Sequence, residues 1–192
     1  MKQSRLQKGS YGYFKQKRTW EILKTILMFA VAFSLFFAGY NVTGNKANVL
    51  TIVAVLGMLP SSKSAVSMIM YLKYHGCSSD LYEKLTKEFG QFEQVLHAYD
   101  CVFTTYKVNY EVPSVVVKSG NVCGLCQKKG ADLNVLNKHI AQMLSQNGYK
   151  ANVKIFPQTE PYFARIRQLN ELADGKGSQD QEIMKVLHQI SL

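Results

Sequence analysis

The chain has 192 residues, 47% hydrophobic and 19% charged, which excludes a disordered or collagen-like polymer and leaves room for one domain plus an appendage. Four cysteines without a signal-peptide cleavage pattern exclude a secreted disulfide scaffold. The net charge of +10 is almost all N-terminal: residues 1–72 hold nine Lys/Arg against the single acid Glu21, and residues 73–192 hold fourteen against twelve. The charge therefore accompanies the most apolar part of the chain, which points to an anionic membrane and makes nucleic acid an unlikely partner.

Residues 1–20 hold Lys2, Arg5, Lys8, Lys15, Lys17 and Arg18 and no acid. They read as a flexible basic cytoplasmic tail, drawn to the anionic inner leaflet at about 1 kcal/mol per basic residue near the surface. Ile22 to Tyr40 follow, with no charge from Ile26 onward. At a helical rise these residues span about 28 Å, close to the hydrocarbon thickness of a bilayer. Trp20 and Tyr40 stand at the two ends, where an aromatic belt places them, and Lys24 sits one turn inside, within snorkelling reach of the headgroups.

Asn41 to Lys46 form a short turn-rich link, and a second apolar run begins at Ala47. Lys63 lies sixteen residues into it, as Lys24 lies sixteen before Tyr40, so a helical hairpin puts both lysines at one depth. Pro60 predicts a kink. Tyr71 and Tyr74 suit the membrane interface. Residues 21–74 thus form a two-helix transmembrane hairpin. Six basic residues before it against Lys46 alone in the loop put both termini in the cytoplasm of a plasma-membrane protein.

Residues 75–192 read as a cytoplasmic α+β domain. Ser78 or Ser79 caps a helix reaching about Ala98, with Leu81, Leu85, Phe89, Phe92 and Leu96 on one face. Gly90 is its weak point. Alternation from Val102 to Val108, the run Val115–Val117 and the segment Val122–Gln127 after a Lys118–Asn121 turn predict a three-stranded meander. A helix over Leu133–Asn147, a strand over Ala151–Phe156, a helix from Pro161 to about Ala173, a 174–178 linker and a final helix over Gln179–Ile190 complete the chain.

The order helix, three strands, helix, strand, helix resembles the core of the restriction-endonuclease-like superfamily, most closely the nuclease-related domains tethered to bacterial membranes. The resemblance implies an Asp on the second strand and Glu-x-Lys on the third. Laid on residues 111–129, those positions fall on Pro113, Cys126 and Lys128, so only the lysine matches. Hydrolysis of a phosphodiester needs carboxylates to hold the cation, so the resemblance implies a degenerate domain. As a whole the chain is also similar to small uncharacterised two-span membrane proteins of gut Firmicutes, some labelled glycosyltransferase-like. No nucleotide-sugar motif here supports that label.

Cys123-Gly124-Leu125-Cys126 is the one chemical motif, readable as structural cysteines, a redox pair or half of a zinc site. In a strand the two side chains point to opposite faces with Cα atoms about 10 Å apart, beyond disulfide reach. A zinc site would need a tight turn at Gly124 and two more ligands from Cys77, Cys101, His97 or His139, none at paired spacing. No cofactor is expected. The reading is a membrane-anchored, non-enzymatic module that binds a protein partner. A nuclease-like or thiol enzyme is the alternative, and an oligomeric pore or scaffold the third.

Overall fold

A computed structural model describes residues 7–44, 48–92, 94–106, 108–128, 130–172 and 177–192. Lys2, Arg5, the link residues Asn45 to Ala47, Lys107 and residues 173–176 lie outside the described residues. The chain divides into two compact units, one of Phe14–His75 and one of Met1–Tyr13 with Gly76–Leu192.

The first unit is a pair of helices, α1 (Tyr13–Thr43) and α2 (Val49–Leu72). Helix α1 begins nine residues ahead of the expected Ile22, so Lys15, Lys17 and Arg18 occupy its first turns instead of a flexible tail. Asn48 caps α2 by accepting from the Thr51 N–H at 2.8 Å. Helix α2 runs on through Pro60. Beside the proline, Ser61 and Ser62 donate back to the Gly57 and Met58 carbonyls at 2.9 and 2.8 Å.

The helices pack antiparallel. The Thr25 and Ser64 hydroxyls are hydrogen-bonded at 3.0 Å, Ala32 lies against Gly57, and Gly39 against Leu50. Thr25, Ala32 and Gly39 are seven apart, as are Leu50, Gly57 and Ser64, the spacing of a coiled-coil seam. The seam is made mostly of small residues, which lets the two backbones approach closely.

The second unit is a mixed four-stranded sheet with helices on both faces. Its elements are α3 (Ser79–Phe89), β1 (Leu96–Thr104), β2 (Asn109–Lys118), β3 (Asn121–Leu125), α4 (Leu133–Gln146), β4 (Asn152–Phe156), α5 (Thr159–Asn170) and α6 (Gly177–Ile190). Strand order is β1-β2-β3-β4. The first three strands form the antiparallel meander, and β4 extends it to four by pairing parallel to β3. That parallel pairing requires a crossover, which α4 supplies. One face packs Val115, Val117, Val122 and Ile155 against Leu136, Ile140 and Leu144 of α4 and Ile183 and Leu187 of α6. The other packs Val116, Cys123, Leu125 and Phe156 against Leu85 and Phe89 of α3 and Tyr162, Ile166 and Leu169 of α5. Strand β2 is covered on both faces, hence its unbroken Val115–Val117 run.

Two expected boundaries move. The first helix stops at Phe89 instead of about Ala98, because Leu96, His97 and Ala98 pair with Val117, Val116 and Val115 as the start of β1. Helical spacing at Phe92 and Leu96 is coincidental. The first hairpin turns at Thr105, not beyond Val108: the Thr105 hydroxyl donates to the Val108 carbonyl at 2.7 Å and closes the loop. Alternation misplaces this turn because Thr105, Tyr106 and Val108 are strand-forming residue types and no Gly or Pro marks the loop. Asp100 adopts φ 53°, in the left-handed region. It falls opposite Pro113, which has no N–H to give the ladder. Ala98 and Cys101, three apart, therefore share one core cluster, as do Val112 and Val115.

The second hairpin turn falls as expected, at Ser119 (φ 49°) and Gly120 (φ 72°). Buried Asp180 of α6 accepts from both of their N–H groups, at 2.6 and 2.8 Å.

The segment ahead of α1 also belongs to this unit. The Gly9 carbonyl accepts from the Tyr99 N–H at 2.7 Å, Lys8 donates to the Ser191 carbonyl at 3.1 Å, and Tyr11 stacks on Tyr82 at 3.8 Å. At the far end of β1, Val102 donates to the Ser191 hydroxyl and accepts from the Leu192 N–H. Residues from both ends of the chain thus cover the outer edge of β1, which protects an otherwise open strand.

Candidate membrane interface and cysteine pair

The helical pair inverts the usual order of burial. Glu21, Thr25, Ala32, Gly39, Ala54, Ser61 and Ser64 are buried, while Leu23, Ile26, Leu27, Val31, Phe37, Val49, Ile52 and Leu59 are 54–75% exposed. Both helices are long and apolar enough to cross a bilayer, at 31 and 24 residues, and only 17% of each apolar window is buried. A core helix of a water-soluble domain would instead hide its large side chains.

The six expected interface residues fall into two groups. Trp20, Tyr40, Lys24 and Lys63 are on the exposed surface of the pair. Tyr71 and Tyr74 turn inward and pack on Phe14, at centroid separations of 6.2 and 6.1 Å. Tyr71 follows Ser64 by seven residues and so continues the seam. The Thr25–Ser64 hydrogen bond puts the preceding residues, Lys24 and Lys63, at nearly one depth.

Glu21 is the residue that hydropathy alone passes over. It is 5% exposed and lies between Lys17 at 3.4 Å and Lys24 at 3.8 Å. Its two neighbours make its burial tolerable. The heptad spacing of Thr25, Ala32 and Gly39 is the sequence signal that places the seam, and with it Glu21, one turn before Thr25.

In the α/β unit, Cys123 packs on the α3/α5 face and Cys126 on the α4/α6 face, as three residues of strand require. Gly124 makes no turn. It lies in β3 between Val115 and Ile155, where a Cβ would meet Ile155 Cδ1 at 2.7 Å and Val112 Cγ1 at 3.0 Å. All four cysteines are free and buried. Burial pushes the Cys77 and Cys101 thiols up to about 12 and raises Cys123 and Cys126 as well, which favours the protonated thiol over the thiolate near neutrality. Arg165 beside Cys123 opposes that shift without overcoming it. Among the described residues no group of three or more His, Cys, Asp and Glu side chains could hold a metal.

At the nuclease-pattern positions, Pro113 lies inside β2, opposite Asp100, and Cys126 fills the core. Lys128 donates to the Asn109 carbonyl at 3.2 Å. The nearby acids Asp100 and Glu111 accept from the Cys77 and Gly76 N–H groups at 2.6 and 2.5 Å. They fasten the start of the domain to β1 and β2.

No family model, curated protein or solved structure matches the chain.

Proposed function

We propose that the protein is a two-span, membrane-anchored, non-enzymatic interaction module, with both termini and the α/β domain on the cytoplasmic side of the plasma membrane. The observation that carries the reading is the inverted hairpin: within the apolar stretches the inward residues are mostly small or polar and the large apolar ones face out, over two membrane-length helices. The basic residues ahead of α1 favour this orientation. Buried, protonated thiols and the side chains at positions 113 and 126 favour a binding role over thiol or nuclease chemistry. The domain would then present its surface to a cytoplasmic protein partner, held at the bilayer by the hairpin.

Alkaline carbonate extraction of membranes carrying the full chain tests the anchoring, with retention in the pellet expected. Cysteines introduced at residue 10, at Asn45 and at residue 185 test the orientation. Labelling by an impermeant reagent from outside is expected at Asn45 alone. Release by carbonate would overturn the anchoring, and labelling of residue 10 or 185 would overturn the orientation.

A further inference from the structure

We propose that Lys24 and Lys63 together form a headgroup site for an anionic phospholipid on one side of the hairpin. The site rests on the membrane reading above and gives that membrane contact a specific ligand. The Thr25–Ser64 hydrogen bond fixes the register of the two helices. In an antiparallel pair, the residues just before two facing seam positions fall on the same side, so Lys24 and Lys63 share a side across helices packed about 8–10 Å apart. Both are exposed. Their flexible four-carbon stems allow both ammonium groups to reach one phosphodiester.

Depth and charge support the same ligand. Nineteen residues separate Lys24 from Thr43 at the far end of α1, about 28 Å of helix, so Lys24 lies at the edge of a hydrocarbon core whose other edge is near the link. Trp20, one turn before Lys24 and 52% exposed, borders the site at headgroup level. Lys63 and the ion-paired Lys17, Glu21 and Lys24 are four charged groups near this end of the pair. Glu21 is shared between Lys17 and Lys24, and Lys63 has no ion-pair partner among the described residues. The group therefore carries a net +2 at a depth where an uncompensated cation is costly. A phosphate supplies the missing counter-charge.

Native mass spectrometry of the full chain, released from detergent with phosphatidylglycerol titrated against phosphatidylcholine, tests the site. The native chain should retain one phosphatidylglycerol in preference to phosphatidylcholine. Lys24→Gln with Lys63→Gln should lower that retention about tenfold or more, and Lys24→Arg with Lys63→Arg should preserve it. Lys15→Gln with Lys73→Gln removes the same charge elsewhere in the helical unit and should change it less than about twofold. Equal losses in the two Gln pairs, or equal retention of both lipids by the native chain, would overturn the site. If carbonate strips the native chain from membranes, the anchoring itself fails and the site with it. If the chain resists carbonate but shows no preference, the site alone fails.

Discussion

Helices α1 and α4 bury opposite kinds of residue. In α1 the inward positions include Thr25, Ala32 and Gly39, and Leu27, Val31 and Phe37 face out. In α4 the inward positions are Leu136, Ile140 and Leu144, and Asn134, Lys138 and Gln142 face out. Water rewards the second arrangement through burial of apolar area. In a bilayer the outer faces would already meet an apolar solvent, and close packing and hydroxyl pairs such as Thr25–Ser64 would hold the hairpin. One chain thus carries two packing rules.

The largest expected break comes from placing one charge on each kind of outer surface. Val31 is 54% exposed on α1 and Val135 is 46% exposed on α4. Val31→Asp should cost about 3 kcal/mol or more of membrane insertion and release the chain in carbonate fractionation. Val135→Asp should shift domain stability by about 0.5 kcal/mol or less in urea melts.

Changes of size should act in opposite directions in the two units. Ile140→Ala empties the core under β2 and should destabilise the domain by about 2–5 kcal/mol in denaturant melts. Gly39→Leu enlarges the seam, where even a Cβ would meet Leu50 Cβ at 2.8 Å. It should part the helices at the link end, read as loss of a disulfide cross-link engineered between positions 32 and 57, at an overpacking cost of about 1–3 kcal/mol. Swapping the two substitutions' logic, Ala32→Gly should be mild.

A smaller effect is expected at the polar contact inside the domain. Tyr162 is fully buried and its hydroxyl pairs with Ser114 at 2.8 Å. Tyr162→Phe strands the Ser114 hydroxyl and should cost about 1–3 kcal/mol in thermal or urea melts. The smallest effect is on pH dependence. Burial holds His97 and His188 below the ordinary 6.5, with Lys8 adding to the shift at His188. The unfolded chain therefore takes up protons first as pH falls. Domain stability should be complete above about pH 6.5 and decline below it, and His97→Asn should flatten that slope in urea melts across pH 5–8.

Much of the fold was legible from the chain, and the misreadings have physical causes. The uncharged run Ile26–Tyr40 marks a helix long and apolar enough to cross a bilayer, because charge is so costly in lipid. Helix α4 and the Ser119–Gly120 turn are plain because period, cap and turn chemistry agree there. The end of α3 was not, since Phe92 and Leu96 keep a helical spacing while strand pairing claims Leu96. The first hairpin turn was not legible because Thr105, Tyr106 and Val108 are strand-forming types, and the left-handed Asp100, whose carboxylate accepts from the distant Cys77 N–H, leaves no local mark in the sequence. Tyr11 docks on Tyr82 from a basic segment with no periodicity to announce it. At the candidate membrane interface, Trp20, Tyr40, Lys24 and Lys63 are exposed, as their places at the ends of the apolar runs lead one to expect. The inward turn of Tyr71 and Tyr74 required the seven-residue seam, which a hydropathy window averages away.

The central claim is that the hairpin lies in lipid with Trp20 at headgroup level. Trp20 is the sole tryptophan of the chain, so its fluorescence reports that position without substitution. In vesicles made from lipids brominated at shallow or deep acyl positions, the account predicts strong quenching by the shallow bromines and weaker quenching by the deep ones. Emission unquenched by either lipid would place Trp20 in water and contradict the account.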